Sequence, residues 1–226
     1  MTPERERCLE KLAGLIQPHE YRTTLVAIDG PDAAGKTTLA DELARLLERR
    51  AVHVVRASID GFHRPRAERL ARGPESPEGY YRDSFDYPAL WAALLDPLRP
   101  GGNLKFRRRV FDYRTDSPVS APLETADKET VLLFDGVFLL RPELASVWDF
   151  TVFIDVPFEE TMRRAAQRDA ALFGSAEETM RRYSARYVPG QELYFREARP
   201  KERADVIVDN ANPGRPTLQF RRRLDS

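Results

Sequence analysis

The 226-residue chain has a single cysteine, Cys8, so it forms no disulfide within itself. A chain of this kind suits a reducing compartment. It has no charge excess either: 36 Lys and Arg balance 36 Asp and Glu. Proteins that hold a nucleic-acid backbone usually carry a basic surplus, so nucleic acid is not expected as a partner. No apolar run approaches the roughly 20 residues of a membrane span, and no membrane partner is expected. The opening residues, MTPERERCLEKLAGLI, are charged where a secretory leader would be apolar, and read as a short amphipathic helix. These absences lead to the expectation of a cytoplasmic protein. No internal repeat is present, and nothing opposes a homo-oligomer. Hydrophobic residues make up 42% of the chain, enough for one well-cored domain over residues 1–226.

Five short β-branched, apolar runs read as buried strands: TTLVAID (23–29), VHVVRA (52–57), VLLFDG (131–136), TVFIDV (151–156) and DVIVDN (205–210). Helical patterns separate several of them. Leu39, Leu43, Leu46 and Leu47 fall at i, i+4, i+7 and i+8 and make one apolar face, opposite Asp41, Glu42, Arg45 and Glu48. Further helical patterns fill 159–172 and about 176–187. Strands without outward polar positions, alternating with helices, predict an α/β fold with a mostly parallel five-stranded sheet covered on both faces, a three-layer sandwich. Residues 65–122 differ. They are rich in Pro, Gly, Arg and Tyr, with a short helix expected near 89–95 and a strand or hairpin arm at KFRRRVFDYR (105–114). Loops this long in a compact domain are usually functional. The tail after Pro213, ending FRRRLDS, carries no clear signal.

Residues 30–37, GPDAAGKT, match G-x-x-x-x-G-K-[ST] between a strand and an amphipathic helix. The glycines let the backbone curl, and successive N–H groups with the helix N-terminus supply partial positive charge. The phosphate-binding set is therefore Gly30, Asp32, Ala33, Ala34, Gly35, Lys36, Thr37 and Thr38. Lys36 is expected at the β/γ-phosphates and the Thr37 hydroxyl at Mg²⁺.

Ligands of doubly wound sheets sit at the carboxyl ends of the strands. Asp60 follows the second strand and Asp135 ends the third. Phosphoryl transfer needs a divalent cation on the phosphate oxygens and a carboxylate for the proton of the nucleophile. Either acid can instead be a cap or turn residue. Asp29 and Asp155 also end strands and are read as structural. Arg164 and Arg168 lie at i, i+4 on one helix face, followed by Arg181, Arg182 and Arg186. Such arginines suit a mobile lid closing over a triphosphate. They also suit a solvated face paired with Glu159, Glu160, Glu177 and Glu178.

The ordered set of motifs resembles the uridine kinase and phosphoribulokinase group of P-loop kinases. Its pieces are IDGPDAAGKTTLA, DGFHR at 60–64, SFDYPAL at 84–90, RVFDYRTDS at 109–117, LLFDGVFLL at 132–140, FIDVPFEETMRRAAQRD, and RYVPGQELYF followed by ADVIVDN. The resemblance implies that Asp60 activates the acceptor hydroxyl and touches the metal shell. It implies that His63 and Asp86 bind the acceptor, Asp86 through ribose hydroxyls, and that Arg168 is a lid arginine. Asp135 stands where the family usually has Glu, with a metal role on a shorter arm. Two departures bear on the acceptor. Phe111 and Asp116 stand where uridine kinases present a Tyr and a His to the pyrimidine. The lid also has Ala170–Gly174 in place of a second basic stretch.

The expectation is therefore a P-loop kinase with Lys36, Asp60 and Arg168 as catalytic residues and Thr37, Asp135 and Asp60 around Mg²⁺. ATP or GTP would be the donor, and a small-molecule acceptor would touch Asp60, His63, Asp86, Phe111 and Asp116. Residues 62–130 would be the acceptor-binding insertion and about 163–190 the lid. Uridine or cytidine is the leading acceptor. Pantothenate, a sugar or a sugar phosphate on the same fold is the alternative, and a regulatory nucleotide-binding NTPase module is the alternative of another class.

Overall fold

The computed structural model describes residues 1–221. The last part of the tail noted above, residues 222–226, lies outside the described residues. All five predicted strands form: β1 (Thr24–Asp29), β2 (Val54–Ser58), β3 (Val131–Asp135), β4 (Phe150–Asp155) and β5 (Val206–Asp209). They pair in parallel. A sixth, β6 (Thr217–Phe220), adds antiparallel to β5, so the sheet is six-stranded in the order β6-β5-β4-β1-β3-β2. The five-strand expectation missed β6 because it is an exposed edge with a polar, short pattern and no buried run to betray it.

Strand periodicity explains the two cores. Successive side chains point to opposite faces. Leu25, Ala27, Leu132, Phe134, Phe153 and Ile207 enter one apolar cluster, while Val26, Ile28, Leu133, Val152, Ile154, Val206 and Val208 enter the other. On the second face lie α1 (Pro3–Leu15), capped by the Thr2 hydroxyl, and α2 (Lys36–Arg49), which buries Leu39, Leu43, Leu46 and Leu47 as its spacing predicts. On the first face lie residues of the long insertion, including α3 (Pro77–Asp83), capped by Ser76.

The insertion carries more helix than expected. Its expected helix runs as turns from Tyr87 to Leu98, with a π-type turn at Trp91–Leu95. The arm forms two small antiparallel ladders, Lys105–Phe106 with Glu124–Thr125 and Phe111–Asp112 with Ser117–Pro118. Beyond β4 come α4 (Phe158–Arg168), a turn at Ala170–Phe173, α5 (Ala176–Arg182), a π-type turn at Tyr183–Tyr187, and α6 (Val188–Ala198). The helix was expected to stop near Tyr187. Pro189 has no N–H for the carbonyl four residues back, and the wider π turn before it lets the helix pass. No helix among the described residues is long and apolar enough to cross a membrane.

Candidate active site

The phosphate loop joins β1 to α2 at the centre of the sheet. Its backbone needs left-handed or unusual angles at Gly30, Ala33 and Gly35, with φ of 150°, 56° and 96°. A Cβ on Gly30 would lie 2.5 Å from the Ile154 carbonyl oxygen, so only glycine fits there. Because α2 begins at Lys36, the N–H groups of Lys36, Thr37 and Thr38 have no acceptor one turn earlier in the helix and face outward from its positive end. Asp29, fully buried, anchors the loop: it accepts from the Gly30 N–H at 2.7 Å, the Leu140 N–H at 3.1 Å and the Tyr194 hydroxyl. Burial still pushes its carboxyl up to about 6. Asn210 braces the loop from the other side, donating to the Ala34 carbonyl at 2.7 Å.

Lys36 reaches back over the loop and donates to the carbonyls of Gly30 and Pro31 at 3.0 and 2.6 Å. Burial lowers its pKa, and the carboxylates of Asp32, Asp29, Asp135 and Asp60 oppose that shift. The Thr37 hydroxyl donates to Oδ2 of Asp135 at 2.7 Å. Two oxygens at that separation suit neighbouring positions around Mg²⁺, which takes few protein ligands and keeps water and phosphate oxygens for the rest. No group of three or more His, Cys, Asp or Glu suited to a metal occurs among the described residues.

Asp60 stands in a short 3₁₀ turn, Ile59–Phe62, directly after β2. Ile59 and Phe62 are fully buried, at 1% and 0% exposure. Burying each contributes on the order of 1.5–3 kcal/mol, so the turn is pinned by its flanks while Asp60 itself is exposed. Its carboxyl has no ion pair or side-chain hydrogen bond among the described residues. Crowding by the surrounding protein, then the nearby Asp32, pushes it up to about 6, against the pull of Lys36 and Arg168.

His63 lies between Phe85 and Tyr113, with ring centroids 4.6 and 4.8 Å away. Its Nδ1 is 3.1 Å from the Asp60 carbonyl. A carbonyl only accepts, so Nδ1 carries the proton and Nε2 is left as an acceptor. Burial lowers the ring pKa to about 4, which keeps it neutral. Tyr113 feels Asp60, Arg114, Arg168 and Asp169, which brings these groups to one side of the cleft. Arg168, at the end of α4, donates to both oxygens of Asp169 at 2.7 and 2.8 Å and to the Tyr183 hydroxyl at 3.3 Å.

A family model described as the phosphoribulokinase/uridine kinase family matches residues 25–213. The chain belongs to that family. This kinase is 26% identical over 192 residues to uridine-cytidine kinase B of Dictyostelium discoideum, covering 84% of this chain and 76% of the relative. It is 28% identical over 209 residues to a pantothenate kinase of Rhodopseudomonas palustris, covering 85% of this chain but only 65% of that relative's length. A solved structure of a possible uridine kinase from Bacillus stearothermophilus superposes with a TM-score of 0.70 at 23% identity, over 90% of this chain and 96% of that one; at this identity the likeness is one of fold.

Within this kinase the predicted residues divide. Lys36, Thr37, Asp60, Asp135 and Arg168 come together around the phosphate loop. Asp32 lies there too, but its N–H donates to Gln191 Oε1 at 2.8 Å instead of being free for a phosphate. Asp86 caps a helical turn, accepting the Ala89 N–H at 2.9 Å. Phe111 belongs to a strand packed beside the Asp60 turn and is 7% exposed. Asp116 was expected to read the base, and here it has partners within the protein. At φ 53° it accepts the Arg66 N–H at 2.8 Å and the Arg69 guanidinium at 3.3 Å, so it closes a loop. Of the later arginines, Arg181 pairs with Glu178 and Glu75, Arg182 with Glu178, and Arg186 donates to the carbonyls of Arg69, Gly73 and Pro74.

Sequence reasoning missed Tyr113, Tyr80, Gln191, Asn210 and Arg56. Tyr113 had a signal: it is two residues from Phe111, in the turn that follows that short strand. Tyr80, Gln191 and Asn210 meet the loop, and Arg56 meets Asp135, only through distant parts of the chain.

Proposed function

We propose that this protein transfers the γ-phosphoryl group of ATP or GTP to a hydroxyl of a small molecule, with a pyrimidine nucleoside such as uridine or cytidine as the first candidate acceptor. The observation that carries the reading is the unpaired Asp60 carboxyl in the same cleft as Lys36. The acceptor oxygen attacks the γ-phosphorus, the bond to the β–γ bridging oxygen breaks, and the acceptor's proton passes to Asp60. At neutral pH a carboxyl titrating near 6 is mostly ionised and able to take that proton. Lys36 and the N–H groups at the start of α2 hold the phosphates. Thr37 and Asp135 would hold Mg²⁺, which when bound neutralises charge on the phosphate oxygens. Arg168 would turn from Asp169 to the transferring group, and residues 163–190 would act as the lid over it.

The acceptor would lie under residues 62–130. His63 Nε2 accepts a hydrogen bond, the Tyr113 hydroxyl can donate or accept, and the Tyr113 ring offers apolar surface, while the buried Phe85 backs the His63 ring. Such a pocket suits a ring-bearing, hydroxyl-rich acceptor. A second reading, pantothenate as the acceptor, is favoured by the 28% identity to a pantothenate kinase, beside 26% to the nucleoside kinase, and by the diversion of Asp116. The cytoplasm is the proposed compartment. ADP release measured with a panel of nucleosides, pantothenate, sugars and sugar phosphates tests the reading. Stimulation by uridine or cytidine supports it, stimulation by pantothenate alone moves the assignment to the second reading, and ADP release unaffected by every acceptor refutes transfer to a small molecule.

A further inference from the structure

A carboxylate inside a phosphate loop adds negative charge where anions bind, so Asp32 calls for an explanation. Its Oδ2 accepts the Tyr80 hydroxyl at 2.6 Å and Gln191 Nε2 at 3.3 Å, and its N–H donates to Gln191 Oε1 at 2.8 Å. Gln191, 2% exposed, is itself fixed by donation from Nε2 to the Tyr187 carbonyl at 2.9 Å. Tyr80 is 7% exposed and stands edge-on to Tyr187 and Phe138. The contact leaves no slack. A Cβ on the neighbouring Gly190 would lie 2.7 Å from Tyr80 Cδ1 and 2.8 Å from the Pro77 carbonyl, so α3 and α6 touch through bare backbone.

From Tyr80 the structure continues toward Asp60. The Ser84 hydroxyl donates to the Tyr80 carbonyl at 2.6 Å, and the Arg64 N–H donates to the Ser84 carbonyl at 3.0 Å. The Asp86 N–H donates to the Phe62 carbonyl at 2.8 Å, and Phe85 packs on His63. The end of α3 is thus laced to the turn that carries Asp60 and His63. Asp32, with the buried Tyr80 and Gln191 both bonded to it, joins the phosphate loop to this unit, and tightly packed contacts of this sort shift as units instead of deforming smoothly.

We propose that Asp32 is a positioning residue: through Tyr80 and Gln191 it couples occupancy of the phosphate loop to the placement of the Asp60–His63 turn. The proposal rests on the nucleotide-binding part of the reading above and needs no knowledge of the acceptor. Its cost is the extra negative charge in the loop, and what the charge gains is a strong acceptor for Tyr80 that a neutral loop residue would lack.

Amide hydrogen exchange of the full chain, with Mg²⁺ and a β,γ-imido analogue of ATP and no acceptor, tests it. In the wild type the analogue should slow exchange at the phosphate loop and also at residues 59–63 and 80–86, the latter by about five-fold or more, the lower end of ordinary site-to-site coupling. In Tyr80→Phe, which keeps the ring, and in Asp32→Ala, the loop should stay protected while the distant protection is lost. Asp32→Asn, which can still accept the Tyr80 hydroxyl, should restore it. Melting curves establish that each variant is folded. Distant protection that survives in both Tyr80→Phe and Asp32→Ala, or that is absent in the wild type beside a protected loop, overturns the coupling. A wild-type loop that gains no protection overturns the nucleotide reading itself and the coupling with it.

Discussion

Arg56 donates from Nη2 to Oδ1 of Asp135 at 2.8 Å, while the other oxygen of that carboxylate takes the Thr37 hydroxyl at 2.7 Å. The Asp135 side chain is 3% exposed and that of Arg56 19%. Removing one partner of a buried pair leaves the other charge without compensation, at a cost of about 3 kcal/mol. Arg56→Ala should therefore lower the melting temperature markedly. Millimolar Mg²⁺ with ATP should recover part of the loss, because a cation beside Asp135 replaces the missing charge. Equal destabilisation with and without Mg²⁺-ATP would argue against a metal at Asp135.

Lys36→Ala should lower turnover by about 10²-fold or more, since phosphoryl transfer depends on charge placed where it develops. Folding should survive. Among the described residues Lys36 makes hydrogen bonds only to the carbonyls of Gly30 and Pro31, and burial already disfavours its charged form. A melting temperature equal to or above that of the wild type, beside lost activity, is the expected pair of results. Near-normal turnover in this variant would refute the role given to the loop.

The parts of this fold that were legible in the sequence are those whose signal is local. Leu39, Leu43, Leu46 and Leu47 announced α2, and the apolar runs ending at Asp29, Asp135 and Asp155 announced strands because both faces of a covered parallel strand must be apolar. The same logic put Lys36, Asp60 and Asp135 on one edge of the sheet. What was not legible depends on contacts between distant residues. Asp116 resembles a base reader by position, but Arg66 and Arg69 lie some fifty residues earlier and take its carboxylate. Tyr80 and Gln191 look like ordinary helix residues until folding brings them to Asp32. β6 was lost for a different reason: an edge strand at the surface has no buried pattern.

The raised pKa of Asp60 sets a pH dependence. Transfer needs the ionised carboxyl as proton acceptor, and crowding and the neighbouring Asp32 push it up to about 6. The sign follows directly: kcat/KM should be level above about pH 7 and fall as pH drops through about 6. His63, held near 4, stays neutral across that range and adds no second inflection. Asp60→Asn should lower turnover by about 10²–10⁴-fold and shrink the inflection, the loop anchor Asp29 being the other carboxyl pushed up to about 6. Nucleotide affinity, measured by calorimetry, should change little. A profile in the wild type that is flat from pH 5 to 8 would remove Asp60 from the proton transfer.

Acceptor choice should depend on Tyr113 and His63, and hardly at all on Asp116. Asp116 is held by Arg66 and Arg69 and closes a loop at positive φ, so Asp116→His should cost stability, about 1 kcal/mol for the lost backbone hydrogen bond, without changing which acceptor is preferred. Tyr113 packs on His63 at a tilt and lies in the field of Asp60 and Arg168. Tyr113→Ala should raise the acceptor KM about ten-fold, because an aromatic wall and a hydroxyl are lost together, while the nucleotide KM stays within about two-fold. His63→Phe removes the Nε2 acceptor but keeps an aromatic ring of similar size. It should discriminate against acceptors that offer a hydroxyl or amine at that point and leave others unaffected. The measurement is kcat/KM for each stimulating acceptor in the wild type and the three variants. A change of preference in Asp116→His, with none in Tyr113→Ala or His63→Phe, would return base reading to Asp116 and refute the pocket drawn around His63.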